Sequence, residues 1–218
     1  MTFKAVVFDL DGTLLDTIED LTDSMNAALA RMGYPGKTVE ESKNLVGDGL
    51  KTFVRRALPP EAADDPAAIA RLKDLMRAEY RIRDDVKTRP YEGIPELLDA
   101  LSRRDFPMAV LSNKPHDSTL SVMTKFFSRW RFRVVYGARD GVAVKPDPCG
   151  ALEIARALDI APAEIAFVGD TNTDMLTANA AGMFAIGALW GFRTAEELTA
   201  NGAKALIAHP LELLPFCF

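Results

Sequence analysis

Apolar residues along this chain follow two rhythms. Short continuous apolar or β-branched runs occur at KAVVFDL (4–10), PMAVLSN (107–113), FRVVYGA (132–138), EIAFVGD (164–170), FAIGAL (184–189) and KALIAHP (204–210). Between them the apolar positions recur at helical spacing. Ile94, Leu97, Leu98 and Leu101 stripe residues 94–104; Leu152, Ile154, Ala155 and Leu158 stripe 148–158; TAEELTANG over 194–202 closes on a glycine. Unbroken apolar strands separated by such helices predict a parallel sheet covered on both faces, an α/β doubly wound, Rossmann-like core.

One region breaks the alternation. From Asp16 to Lys87 no strand pattern occurs, but four helical segments do. Ile18, Leu21, Met25, Leu29 and Met32 mark the first, which ends at Gly33; Thr38 and Glu41 open the second as a capping box. The third carries Leu50, Phe53, Val54 and Leu58, and Asp65-Pro66 starts a fourth with Ile69, Leu72, Met76 and Tyr80 on one face. This predicts a small all-helical domain at 16–87, inserted after the first strand of a core made of 1–15 and 88–218. The return segment DDVKTRPYEG (84–93) is polar and turn-rich, as a hinge between two bodies should be.

Composition adds mainly exclusions. The 218 residues are 48% hydrophobic and 26% charged, which is ordinary globular usage with enough chain to bury a core. The least polar stretch, AAGMFAIGALWGF at 180–192, is too short for a membrane span and reads as a buried strand with turns. The N-terminal apolar run meets an acid too early for a signal peptide, so a soluble, cytoplasmic protein is expected. Net charge is −5 with no basic stripe, which argues against a nucleic-acid partner. Cys149 and Cys217 lack metal-ligand spacing and read as free thiols.

In an open parallel sheet, ligands bind outside the carboxyl ends of the strands. At those ends stand Asp9, Asp11, Gly12 and Thr13 after the first strand, Ser112, Asn113 and Lys114 after the second, and Asp170 after the fourth, with Asp174 one turn on. Lys145, in a KPDP segment, follows the third. Taken alone, Asp9 and Asp11 would pass for turn residues. Set beside the other strand ends they predict several carboxylates on one rim, and two carboxylates about 4 Å apart repel by roughly 4 kcal/mol at an effective dielectric near 20. A bound cation offsets that cost. Oxygen-only donors from Asp9, Asp170 and a backbone carbonyl suit Mg²⁺, which with few protein carboxylates usually accompanies a phosphate. Lys145, the Ser112 hydroxyl and the backbone N–H groups after Asp9 suit the phosphate oxygens. Asp9 is then placed to attack phosphorus and Asp11 to protonate the leaving alkoxide and later deprotonate water.

DLDGTLLDT, SNK, KPDP and GDTNTDM, in this order and with a helical insert after the first, resemble the four motifs of the haloacid dehalogenase superfamily of phosphatases with a C1-type cap. The resemblance implies that Asp9 is nucleophile and metal ligand, that Asp11 is the acid/base whose carbonyl also binds Mg²⁺, and that Asp170 is a further ligand. It implies that Ser112, Asn113 and Lys145 hold the phosphate, with Asp174 and Thr13 in support. Within the superfamily the chain is similar to the phosphoglycolate phosphatases, through the DTIEDL start of the first insert helix, NLVGDGLKTFVRRAL, RPYEGIPELLDAL, SNKPHD and the WGFRTAEELTANGAKALIAHPLELL tail. Lys204 and the apolar PFCF end depart from the expected pattern. The implied reaction is hydrolysis of a small phosphorylated metabolite, 2-phosphoglycolate first, by a monomer or homodimer. A sugar-phosphate mutase or pyrophosphatase of the same superfamily is the alternative, and a non-catalytic module ranks last because the acids and Lys145 are all present.

Gly47, Asp48 and Gly49 make a flexible cap loop that could fold over a substrate, with Lys51, Arg55 and Arg56 just beyond; a turn followed by a solvated basic face is the competing expectation. His116 and His209, each beside a proline, are expected to be structural, and Trp130 and Trp190 to pack in a core or a dimer.

Overall fold

The computed structural model describes residues 2–218 and resolves into two units, Met1–Leu15 with Pro90–Phe218, and Asp16–Arg89. In chain order the first unit contains β1 (Ala5–Phe8) and the start of β2 (Leu15–Asp16). The helical unit follows with α1 (Ile18–Ala30), α2 (Val39–Leu45), α3 (Leu50–Ala57) and α4 (Pro66–Tyr80), and the chain returns through β3 (Arg89–Pro90). The core then continues with α5 (Ile94–Ser102), β4 (Met108–Pro115), α6 (His116–Phe127), β5 (Val134–Ala138), α7 (Cys149–Leu158) and β6 (Ile165–Gly169). It ends with α8 (Asn172–Ala180), β7 (Phe184–Ala188), α9 (Ala195–Ala200), β8 (Ala205–Ile207) and α10 (Leu214–Cys217).

Six strands form one parallel sheet in the order β5-β4-β1-β6-β7-β8. Each side chain's direction decides which face it serves, because successive strand residues point to opposite sides. Val6 and Phe8 of β1, with Ala166 and Val168 of β6, join a core under α5, α6 and α10 that includes Ile94, Leu98, Val122, Phe127 and Leu213. Ala5, Val7, Ile165 and Phe167 join the opposite core with Ile154 of α7, Met175 of α8 and Leu198 of α9. Both faces are therefore apolar, which explains the continuous rather than alternating strand pattern.

The chain runs outward from β1 through β4 to β5, then returns to β6 on the other side of β1 and runs outward again. The order reverses at β1, and the crevice at that reversal is where open α/β sheets bind ligands. Strand lengths depart from the apolar runs in both directions: Phe132 and Arg133 lie outside β5 and β8 keeps only three residues of KALIAHP, whereas β4 runs on past Asn113 to Pro115. Just before β5, the Arg133 N–H donates to Met108 O and its side chain pairs with Asp105 at 2.9 Å.

The helical unit, taken by itself, is stabilised as its caps predict. The Thr38 hydroxyl accepts from the Glu41 N–H at 3.1 Å while the Glu41 carboxylate accepts from the Thr38 N–H at 2.7 Å. Asp65 accepts from Ala67 N–H at the start of α4, with Pro66 in the first turn where no N–H is needed. Met25, Leu29, Phe53, Val54, Leu72 and Met76 are buried between its helices. Buried Asp20 of α1 ties down the return segment, accepting from the N–H groups of Lys87 and Thr88 and from the Thr88 hydroxyl at 2.8–3.1 Å. No helix among the described residues is long and apolar enough to cross a membrane.

Candidate active site

The carboxyl ends of β1, β4 and β6 lie side by side; the polar residues stand just beyond β1 and β6, whereas Ser112, Asn113 and Lys114, expected after their strand, belong to the last residues of β4 itself. Asp9 follows β1 directly, and its N–H still donates to Val168 O at 2.9 Å, so sheet hydrogen bonding places it. Asp170 follows β6. Asp174 sits in the first turn of α8, where the N–H and hydroxyl of Thr171 both donate to its Oδ2, at 3.0 and 2.7 Å, in a capping-box arrangement with acid in place of glutamate.

Carboxylate oxygens of Asp9, Asp170 and Asp174 all lie within 4.8 Å of one another, and all three residues are buried. Lys145 sits among them, with Nζ 2.7 Å from Asp9 Oδ1 and 2.6 Å from Asp174 Oδ1. One ammonium does not balance three acids. Burial, then repulsion from Asp174, pushes the Asp9 carboxyl well above the usual carboxylate range despite Lys145. Burial and Asp174 push Asp170 up to about 7, against hydrogen bonds from Phe192 N–H and the Thr13 hydroxyl. Burial works against the charge on Lys145, but Asp174 and Asp9 outweigh it and hold its pKa above the ordinary lysine value. The group is thus short of positive charge. An all-oxygen, three-carboxylate set with that deficit fits a hard divalent cation, and Asp9, Asp170 and Asp174 are the side chains able to reach it.

The other predicted residues divide by partner. Thr13 Oγ1 donates to Asp170 Oδ1 at 2.8 Å. The Asn113 side chain is engaged at both ends by the Lys145 backbone, so it holds the lysine's main chain in place. Ser112 Oγ accepts from Lys114 N–H at 3.1 Å and remains able to donate. The register between β4 and β5 shifts between Leu111 and Pro115, which falls on these three residues and re-aims them. The Asp11 side chain is not part of the three-acid group; it pairs with Lys114.

Gly47 and Gly49 belong to the helical unit. Both have positive φ, +118° and +83°, and between them Asp48 pairs with Arg56 at 2.7 Å. Arg55 pairs with Asp64, so the basic face beyond the loop has internal partners. The histidines are structural: His116 Nδ1 accepts from Gly137 N–H and His209 Nδ1 from Leu211 N–H. Trp130 packs on Phe127 and donates to Asp99.

The sequence places Trp190 in a core or a dimer contact and gives WGF at 190–192 no part in the site. Trp190 packs against the core, as expected, but its indole N–H also donates to Thr13 O at 2.9 Å. Phe192 N–H donates to Asp170 Oδ2 at 2.9 Å. Between them, a Cβ on Gly191 would come within 2.2 Å of Asp170 Cβ and 2.5 Å of Gly12 O. The segment after β7 therefore clamps both the loop after β1 and the acid after β6. Its position at the same sheet edge was the available signal.

The family model described as haloacid dehalogenase-like hydrolase matches residues 6–188. The chain belongs to that family. Among relatives of this haloacid dehalogenase-like hydrolase, the phosphoglycolate phosphatase of Chromobacterium violaceum is 32% identical over 97% of this chain and 96% of its own. The N-acetylmuramic acid 6-phosphate phosphatase of Pseudomonas aeruginosa is 31% identical over 98% and 94%. A crystal structure of a predicted phosphoglycolate phosphatase from Haemophilus somnus superposes with a TM-score of 0.91, covering 99% of this chain and 98% of the other, at 24% identity, and speaks to the fold. With phosphatases of its family aligned over nearly its whole length, this hydrolase is a phosphatase acting on phosphomonoesters. The Trp190–Phe192 clamp lies just past the matched segment of the family model.

Proposed function

We propose that the protein is a Mg²⁺-dependent phosphomonoesterase that works through a phosphorylated Asp9, with 2-phosphoglycolate as its substrate. The observation that carries the reading is the buried Asp9, Asp170 and Asp174 group, balanced in part by Lys145 alone. When bound, Mg²⁺ would be held by Asp9 and Asp170, with Asp174 beside them, and would supply the positive charge that the carboxylates and phosphoryl oxygens need.

In the first half-reaction the Asp9 oxygen not engaged by Lys145 attacks phosphorus, the phosphorus–ester oxygen bond breaks, and the Asp11 proton goes to the leaving alkoxide. Lys145, Ser112 and the backbone N–H groups beside Asn113 and after Asp9 take the phosphoryl oxygens, where developing charge is stabilised by donors already in place. In the second, water attacks phosphorus, Asp11 accepts its proton, and the bond to Asp9 breaks to release phosphate. Thr13, Trp190 and Phe192 keep the Asp9 loop and Asp170 in register through both steps.

The choice of 2-phosphoglycolate is supported by the similarity to the Chromobacterium relative, which is named for that substrate. A sugar phosphate is the second reading, since the Pseudomonas relative named for N-acetylmuramic acid 6-phosphate is nearly as similar over the whole chain. A panel of phosphate esters assayed with Mg²⁺ decides between them: turnover of 2-phosphoglycolate at least tenfold above sugar phosphates is expected. Full activity surviving Asp9→Asn, or no turnover of any ester, would sink the mechanism.

A further inference from the structure

Lys114 stands at the end of β4, next to the strand that leads to Asp11, and no step above uses it. Its Nζ lies 3.0 Å from Asp11 Oδ1 and 3.1 Å from Oδ2, so the ammonium holds both oxygens in a near-symmetric fork. The lysine is itself firmly placed: its side chain is 5% exposed, its N–H donates to Ser112 Oγ, and its carbonyl accepts from the Thr119 hydroxyl. A Cβ on Gly137 would lie 2.6 Å from that same carbonyl, so β5 leaves the Lys114 backbone no room to shift. Asp11 is looser. It sits on the loop after β1, its side chain 20% exposed, and its carboxylate has no other hydrogen-bond partner in the described residues.

We propose that Lys114 is a positioning residue for the acid/base carboxylate of Asp11. The proposal rests on the reading of Asp11 as proton donor and acceptor. The carboxylate must face the ester oxygen in the first half-reaction and water in the second, and a carboxylate with two free torsions spends most of its time facing neither. An ammonium can keep it in place in both protonation states. Ionised Asp11 accepts from Lys114 with both oxygens; protonated Asp11 carries the proton on one oxygen and still accepts with the other. No proton passes through Lys114. It acts on geometry alone, and SNK thereby contributes to proton transfer as well as to phosphate binding.

The test uses the full-length enzyme with Mg²⁺ and a series of aryl phosphates graded by the acidity of the leaving phenol, none carrying a second charge. Values of kcat/KM report phosphoryl transfer to Asp9, the step in which Asp11 acts as acid. For Lys114→Met, kcat/KM for the poorest leaving group falls about 10–100-fold, a part of the 10²–10⁴ typical of general acid–base catalysis, while the best falls less than about 3-fold. The dependence on leaving-group acidity therefore steepens, as it does in Asp11→Asn, and Lys114→Arg restores it. Lys114→Gln, which keeps one donor, is read in the same series and gives the same slope change if the methionine variant does not fold. A uniform fall across the series, or a loss confined to 2-phosphoglycolate with the aryl slope unchanged, overturns the proposal in favour of a packing or substrate-binding lysine. If Asp11→Asn itself leaves the slope unchanged, the acid/base reading fails first. If Asp11→Asn steepens it and the Lys114 variants do not, the positioning role alone is wrong.

Discussion

The side-chain amide of Asn113 and the backbone of Lys145 form a closed pair: Nδ2 donates to the Lys145 carbonyl and Oδ1 accepts the Lys145 N–H, each at 2.9 Å. All four groups are buried, so the asparagine behaves like a segment of a partner strand and holds the lysine in the acid group. Asn113→Ala leaves a buried N–H and C=O unpaired, at a cost of about 2–4 kcal/mol. It is expected to lower the urea midpoint accordingly and to reduce kcat at least tenfold as Lys145 loosens. Asn113→Asp keeps the acceptor but loses the donor to the Lys145 carbonyl, and adds a fourth acid, so its kcat loss should be no smaller.

The acid group makes metal-free stability depend on pH in a direction opposite to that of salt-bridged carboxylates. Asp170 ionises near 3.8 when unfolded and at about 7 when folded, because burial and Asp174 oppose its charge; Asp9 is raised for the same reasons. Between those values the native state holds more protons than the unfolded one, so stability falls as pH rises. Its contribution is fully present below about pH 4 and is lost through pH 7. In chelator, the thermal midpoint should therefore decline across that window once other groups are accounted for by an Asp170→Asn control, which flattens the decline. Because the cation competes with protons for the same carboxylates, the midpoint gain on adding Mg²⁺ should be larger at pH 8 than at pH 5. An equal gain at both would contradict this arrangement.

Gly191 tests the clamp after β7. The methyl group in Gly191→Ala has to displace Asp170 or the Gly12 carbonyl, both backed by packed structure. The expected result is a Mg²⁺ requirement raised at least tenfold in a metal titration of activity, with a smaller midpoint gain from Mg²⁺ in the absence of substrate. Trp190→Phe deletes the bond to Thr13 O along with part of the ring's packing, and should show a milder form of the same shift.

In the helical unit, Asp20→Ala removes the acceptor for three donors of residues 87 and 88. Stranding them should cost about 2–4 kcal/mol in chemical denaturation. Asp20→Asn, whose amide oxygen still accepts, should lose clearly less.

Asp9 and Asp170 were legible because they combine a local signal, the end of an apolar run, with a general rule about where parallel sheets bind ligands, and Lys145 because its KPDP segment follows the third run. The capping box at Thr38 was legible for a similar reason, since both partners lie within four residues. What escaped notice depends on the backbone. The Phe192 N–H and the close approach of Asp170 and Gly12 to Gly191 leave no trace in a pattern of apolar and polar residues, because a main-chain donor is the same in every residue but proline. Asn113 illustrates the middle case. Its place at the strand end pointed to the phosphate; its amide bonds to the backbone of Lys145, 32 positions on, have no local signal. Lys114 stood in plain view in SNK, yet its partner Asp11 lies 103 positions earlier and no spacing rule links them.

The chain enters and leaves the helical unit through β2 and β3, which pair with each other, and just inside the core Tyr91 N–H donates to Leu14 O at 3.2 Å. The two cut ends of the core are thus already neighbours, and a connector of a few residues suffices to join them. In design terms residues 16–89 form a segment bounded by one pair of adjoining ends, so replacing it leaves every strand and crossover of the six-stranded sheet in place.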